Sequence, residues 1–195
     1  IDGRVGILRF NRPQVMNAFD TVLIEATNQA MHDFMADDAV LAIIIGGHGR
    51  CFSAGFDMKE SAARGIRGQD EWRKVLTKDF DFIMQFWHAP KPTIAAAHGY
   101  CIGGAMELLM ACDLSVASET TLFGEPEVRF GSGIVAMLAP YVIGPKQAKE
   151  LLLTGNDRVS AQRCYEMGIL NRVTLEGGEM DAAMALAQQI TSAAP

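Results

Sequence analysis

The sequence predicts an α/β domain with largely parallel strands, and three observations predict it. Short apolar runs alternate with longer segments of helical period, the alternation repeats through a second cycle, and a pair of prolines marks where that cycle's strand begins. In chain order, "VGILRF" and "LAIIIGG" read as strands. Between them, a helix from about Thr21 to Met35 carries Leu23, Thr27, Ala30, Met31 and Phe34 on one face. The second cycle is a helix from about Glu71 to Trp87 followed by the strand "TIAAAHG". Pro90 and Pro92 in "PKP" exclude helix at its start. The apolar stripe of "KDFDFIMQFW" reads as core or subunit contact. A short helix in "HGYCIGGAMELLMACD" then leads to the strand "DLSVAS" and a turn through "FGEPE".

Beyond about Ile134 the texture becomes helical. Pro145 suits the first position of the helix in "GPKQAKELLLTG", and Ser160 suits the N-cap of "SAQRCYEMGIL". The alanine-rich segment "GGEMDAAMALAQQITSAAP" is helical in period.

Composition narrows the function classes. With 195 residues, 49% hydrophobic and 21% charged, the chain suits one globular domain with a sizeable core. No apolar run approaches the ~20 residues of a spanning helix, and "IDGRVGILRF" lacks the plan of a signal peptide, so any leader would lie outside this sequence. Cys51, Cys101, Cys112 and Cys164 fall in no metal-ligand spacing and suit reduced thiols in a cytoplasmic compartment. A net charge of −6 weighs against nucleic acid as a partner. His32, His48, His88 and His98 show no paired spacing, so no metal is expected. There is no GxSxG and no Walker spacing.

Three stretches could carry chemistry. In "GRCFSAGFDMKE", Ser53, Ala54 and Gly55 form a small-residue turn between a strand and a helix start, where backbone N–H groups can point outward. By itself this is also an ordinary strand-to-helix turn. Gly103 and Gly104 precede the second short helix, whose free N–H groups suit an oxygen acquiring negative charge. Glu107 follows inside that apolar helix, and a carboxylate there needs a partner or a task. In "FGEPEVRFG" two acids flank Pro126; they read either as solvated loop residues or as carboxylates converging on a pocket and dividing acid and base work.

Taken together, these stretches resemble the enoyl-CoA hydratase/isomerase (crotonase) superfamily. The likeness runs from "FNRPQVMNAF" through "GRCFSAGFDMKE", "PKPTIAAAHGYCIGGAMELLMACD" and "FGEPEVRFG" to "AKELLLTGNDRVSAQRCYEMGILNRV". It implies a superhelix of repeated ββα units followed by a helical region. Within a single domain over residues 1–195, the catalytic core is expected over about 1–143 and the helical region over about 144–195. The family's C-terminal trimerisation helices are expected to be mostly absent before Pro195. Trimers or dimers of trimers, and an acyl-CoA thioester as ligand, are also implied; coenzyme A belongs to the substrate and no separate cofactor is expected.

The family's oxyanion hole falls on the backbone N–H groups of Phe56 and Gly104, and the two glutamates of its hydratases on Glu107 and Glu127. Glu107 is assigned the water and Glu127 the α-carbon proton. The CoA-binding set implied by the resemblance is Ala54, Asp57, Lys59, Arg12 and Arg50; the three cations read equally as phosphate contacts or as solvated side chains. The chain departs from many hydratases after "GEPEV", so Ile134, Val135 and Met137 are expected to reshape the acyl pocket. The leading expectation is an enoyl-CoA hydratase lyase; the alternatives are an enoyl-CoA isomerase or another crotonase reaction, and a non-catalytic binder of acyl-CoA or RNA.

Overall fold

The structure, a computed structural model, describes residues 1–131 and 136–193. Five parallel strands form the main sheet: β1 (Val5–Phe10), β2 (Ala42–Gly47), β3 (Thr93–Ala97), β5 (Leu114–Ser118) and β8 (Arg172–Thr174), side by side in that order. A second sheet holds β4 (Tyr100–Ile102), β6 (Leu122–Gly124) and β7 (Val159–Ser160), with β4 and β6 parallel and β7 antiparallel to β6. Three times the chain lays a segment in the main sheet and then one in the second layer: β2 then Ser53, which bridges Cys101; β3 then β4; β5 then β6. This is the repeated ββα winding that the resemblance implies.

The helices are α1 (Thr21–Ala36), α2 (Met58–Ala63), α3 (Gln69–Trp87), α4 (Gly104–Ala111), α5 (Ala139–Val142), α6 (Pro145–Thr154), α7 (Ala161–Met167) and α8 (Glu179–Ser192). α1 and α3 match the periodic reading to within two residues. Asp20 caps α1 by accepting from the Leu23 N–H at 2.8 Å, and Ser160 caps α7 by accepting from Arg163 N–H at 3.2 Å. On the predicted α1 face Thr27 and Met31 are buried, while Leu23, Ala30 and Phe34 are partly covered.

A parallel sheet needs cover on both faces, and the period of two along its strands divides the core accordingly. Ile43, Ile45, Ala95 and Ala97 join the large cluster containing Phe82, Ile83 and Phe86 of α3 and the apolar residues of α4. Ala42, Ile44, Ile94, Ala96 and Val116 face the other way and pack on Ala183 and Ala187 of α8. Each fully buried isoleucine contributes roughly 1.5–3 kcal/mol.

The short strands β4, β6, β7 and β8 do not figure in the sequence reading. At two or three residues each they are too short for any periodicity, and distant pairing partners define them. All four cysteines are free and buried. Burial pushes the thiols of Cys51, Cys101, Cys112 and Cys164 up. Among the described residues, no helix is long and apolar enough to cross a membrane and no acid–histidine–cysteine group could hold a metal. Ile134 and Val135 lie outside the described residues, and Met137 is 55% exposed.

Candidate active site

The turn after β2 consumes its own hydrogen-bond donors one by one. Ser53 N–H donates to the Tyr100 carbonyl, Ala54 N–H to Met16, and Gly55 N–H to Ser53 Oγ. Phe19 then makes a parallel bridge around Phe56: its N–H donates to the Gly55 carbonyl at 2.8 Å, and its carbonyl accepts from Asp57 N–H at 3.0 Å. A residue bracketed in this way turns its own N–H to the opposite side. Phe56 is accordingly left with a backbone N–H that has no acceptor among the described residues.

The second donor arises at the start of α4. Gly103 N–H is taken by the Gly124 carbonyl at 2.8 Å, and the Gly103 carbonyl accepts from Met106 and Glu107. Gly104, the first helical residue, has no helical carbonyl one turn back, and its N–H has no acceptor among the described residues. The two turns abut. Gly55 sits at φ +82°, and a Cβ there would meet the Ile102 carbonyl at 2.7 Å and the Gly104 nitrogen at 3.1 Å, so only glycine allows this approach. The Phe56 ring lies against Gly104, where an added Cβ would be 2.5 Å from Cε2.

Every residue of α4 is buried, including Glu107 at 1% exposure. Glu127 lies on a 3-10 turn, Pro126–Phe130, and its Oε1 rests against Gly103 so closely that a Cβ at Gly103, φ +59°, would collide with it. The fold therefore brings both predicted glutamates to the glycine pair. It adds a third acid, Glu125, which is 1% exposed and whose surroundings contain both others. Burial, then the charges of Glu107 and Glu127, pushes the Glu125 carboxyl well above the usual range. Burial also raises Glu127, opposed by the Glu125 carboxyl beside it and by its own backbone N–H. Glu125 was visible as one of the acids flanking Pro126, but nothing local separated it from a solvated loop residue.

Of the expected CoA-binding set, Arg12 and Asp57 meet each other. Arg12 Nη1 donates to Asp57 Oδ2 at 2.6 Å and to the Ala18 carbonyl, while its Nε lies 3.1 Å from Asp20. Asp57 also caps α2 by accepting from the Lys59 and Glu60 N–H groups. The Arg12 guanidinium, ahead of those N–H bonds, holds the Asp57 carboxyl below its usual range. This pair fastens the segment carrying Phe56. Arg50 and Lys59 are exposed and form no ion pair among the described residues, and Ala54 is half-buried beside them.

Sequence reasoning missed Asn17. Its buried side chain, at φ +52°, accepts from Arg12 N–H at 2.9 Å and donates to the carbonyls of His48, Cys51 and Phe52. It ties "NRPQVMNAF" to the strand entering the "SAG" turn, and an asparagine before an apolar pair is the signal that could have found it.

Comparison with known proteins places the chain in a family. The family model described as "Enoyl-CoA hydratase/isomerase" matches residues 1–195. A probable enoyl-CoA hydratase of Rhizobium meliloti is 37% identical, the match covering 97% of this chain and 73% of that protein. A carnitinyl-CoA dehydratase of Salmonella enteritidis is 34% identical, covering 100% and 74%. The crystal structure of an enoyl-CoA hydratase/isomerase from Xanthobacter autotrophicus Py2 superposes with a TM-score of 0.94 at 47% identity, covering 97% of this chain and 70% of that one. A full-length family match, joined to a superposition of this quality, assigns the chain to the enoyl-CoA hydratase/isomerase (crotonase) family of acyl-CoA enzymes.

Proposed function

We propose that this protein is an enoyl-CoA hydratase, adding water reversibly across the double bond of a 2-enoyl-CoA. The observation that carries the reading is the convergence of Glu107 and Glu127 on Gly103 and Gly104, beside the open N–H groups of Phe56 and Gly104. The thioester carbonyl oxygen would accept from those two N–H groups. Electron withdrawal through the thioester leaves the β-carbon electrophilic. Glu107, ionised, takes a proton from water as its oxygen bonds to the β-carbon, and the electron pair of the double bond moves onto the enolate oxygen. Collapse of the enolate takes a proton from Glu127 to the α-carbon. A preorganised donor aimed at the developing oxyanion is typically worth about 10²–10³ in rate, and a positioned acid or base about 10²–10⁴.

Arg50 and Lys59, exposed beside the Ala54 turn, are proposed to meet the CoA phosphates, with Asp57 and Arg12 shaping that turn. Assembly as a trimer or dimer of trimers, and a cytoplasmic location, are part of the same proposal; sedimentation of the purified chain checks the first.

The test is loss of the conjugated thioester absorbance of a short 2-enoyl-CoA. Glu107→Gln and Glu127→Gln are each expected to lower kcat by about 10²–10⁴. Undiminished turnover in both variants would refute the mechanism, and turnover of a 3-enoyl-CoA to its 2-enoyl isomer without hydration would redirect the assignment to an isomerase.

A further inference from the structure

Glu125 is a buried acid that the two-glutamate mechanism does not use. Among the described residues, neither of its carboxyl oxygens meets an N–H or O–H donor from another group, and one oxygen of Glu127 is in the same position. What Glu125 faces is the Glu127 carboxyl itself. Two carboxyl oxygens in contact form a hydrogen bond only if one of them carries a proton. The titratable groups around Glu125 are Glu107 on α4, Glu127 on the 3-10 turn and the Cys101 thiol on β4; no cation is among those acting on it. A further negative charge at this 1%-exposed site would have little water and, among the described residues, no donor to stabilise it.

We infer that Glu125 is a positioning residue that stays protonated and donates a hydrogen bond to Glu127, stabilising the carboxylate that Glu127 becomes when it gives its proton to the α-carbon. The balance is simple. Before reaction Glu107 is ionised and both Glu125 and Glu127 carry protons. After water has added, Glu107 holds the proton taken from water, Glu127 is ionised, and Glu125 has kept its own. The three carboxyls thus carry one negative charge before and after the reaction, with the enolate oxygen holding it in between, and Glu125 supplies a donor that no described backbone group gives to that end of Glu127. The upward displacement of Glu125 and the opposing pull of Glu125 on Glu127 have the direction this arrangement requires. The kinetic consequence rests on the hydratase reading; the protonation of Glu125 does not.

The experiment has two arms. Difference infrared spectroscopy of the free protein at pH 7, wild type against Glu125→Gln, is expected to show loss of one protonated-carboxyl carbonyl band, a band that Glu127→Gln leaves in place. No loss in Glu125→Gln overturns the inference. In turnover, Glu125→Gln keeps a neutral donor and is expected to exceed Glu125→Leu in kcat by about tenfold, the scale of one hydrogen bond to a forming charge. Glu125→Leu is also expected to move the alkaline limb of the kcat profile upward, because Glu127 loses the group that lowers it. Equal loss in the two variants, or an unmoved limb, overturns the positioning role. If Glu125→Leu fails to fold, the infrared arm still decides. Should the wild type hydrate no 2-enoyl-CoA while the band is lost in Glu125→Gln, the protonated Glu125 stands and the hydratase reading falls.

Discussion

Replacing Gly103 by alanine tests how the glycine pair builds the site. The backbone there sits at φ +59°, ψ −131°, a conformation that an L-residue adopts only at a cost of roughly 1–3 kcal/mol. At about 2–4 °C per kcal/mol for a chain of this size, a 2 kcal/mol loss lowers Tm by roughly 4–8 °C. The added Cβ would also land on Glu127 Oε1, so the carboxyl must move by a distance on the order of 1 Å, a displacement that can lower kcat about 10²-fold. The two effects are separable. Gly177 sits at φ +82° with open space around it, so Gly177→Ala incurs the backbone cost alone and is expected to lower Tm without changing kcat. Thermal melts followed by circular dichroism, together with hydration of a short 2-enoyl-CoA, measure both quantities. A Gly103→Ala protein that melts lower yet turns over at the wild-type kcat would show that Glu127 does not act from against Gly103.

Two further outcomes concern stability. Asn17→Ala removes the acceptor of Arg12 N–H and the donor to three carbonyls in a buried site, and leaves alanine at φ +52°. At about 1–3 kcal/mol per orphaned buried group, the loss is expected to be roughly 4 kcal/mol, or on the order of 10 °C in Tm; a denaturation midpoint close to wild type would contradict the tie described above. Asp79, buried on α3 beside a cavity of about 710 Å³, is pushed up to about 6 chiefly by burial, with Arg64 and Lys78 opposing. Its folded pKa lies above its unfolded value of 3.8, so the folded state binds more protons between about pH 4 and 6, and stability falls as pH rises through that window. Asp79→Asn is expected to abolish this decline, on the order of 3 kcal/mol at most, which urea midpoints at pH 4.5 and 7 would register.

Much of the fold is legible in the chain because its signals are local. The run Ile43 to Ile45 reads as a strand wherever it lies, Pro92 forbids helix at the start of β3, and Ser160 caps α7 with its own hydroxyl. The triple Gly103, Gly104 and Glu107 is also local: five successive residues of one helix start give both an open N–H and a carboxyl one turn on. What depends on distant partners is not legible in this way. Tyr100–Ile102 becomes a strand only because Leu122–Gly124 lies beside it. Arg12 and Lys59 look alike as loop cations, yet the fold neutralises Arg12 with Asp20 and Asp57 and leaves Lys59 in water.

The amino-acid sequence by itself determined the alternation of strand and helix, the two small-residue turns, and the two acids of the candidate site as members of a motif. Tertiary structure alone decided that the turns touch, through the close approach of Gly55 to Gly104, and that Glu125 is buried beside the two predicted glutamates. The reason is dielectric. An acid beside a proline has the same covalent neighbours whether it faces water or two other carboxyls, and only the winding of β4, β6 and α4 around it removes the water and so decides which of its protonation states survives.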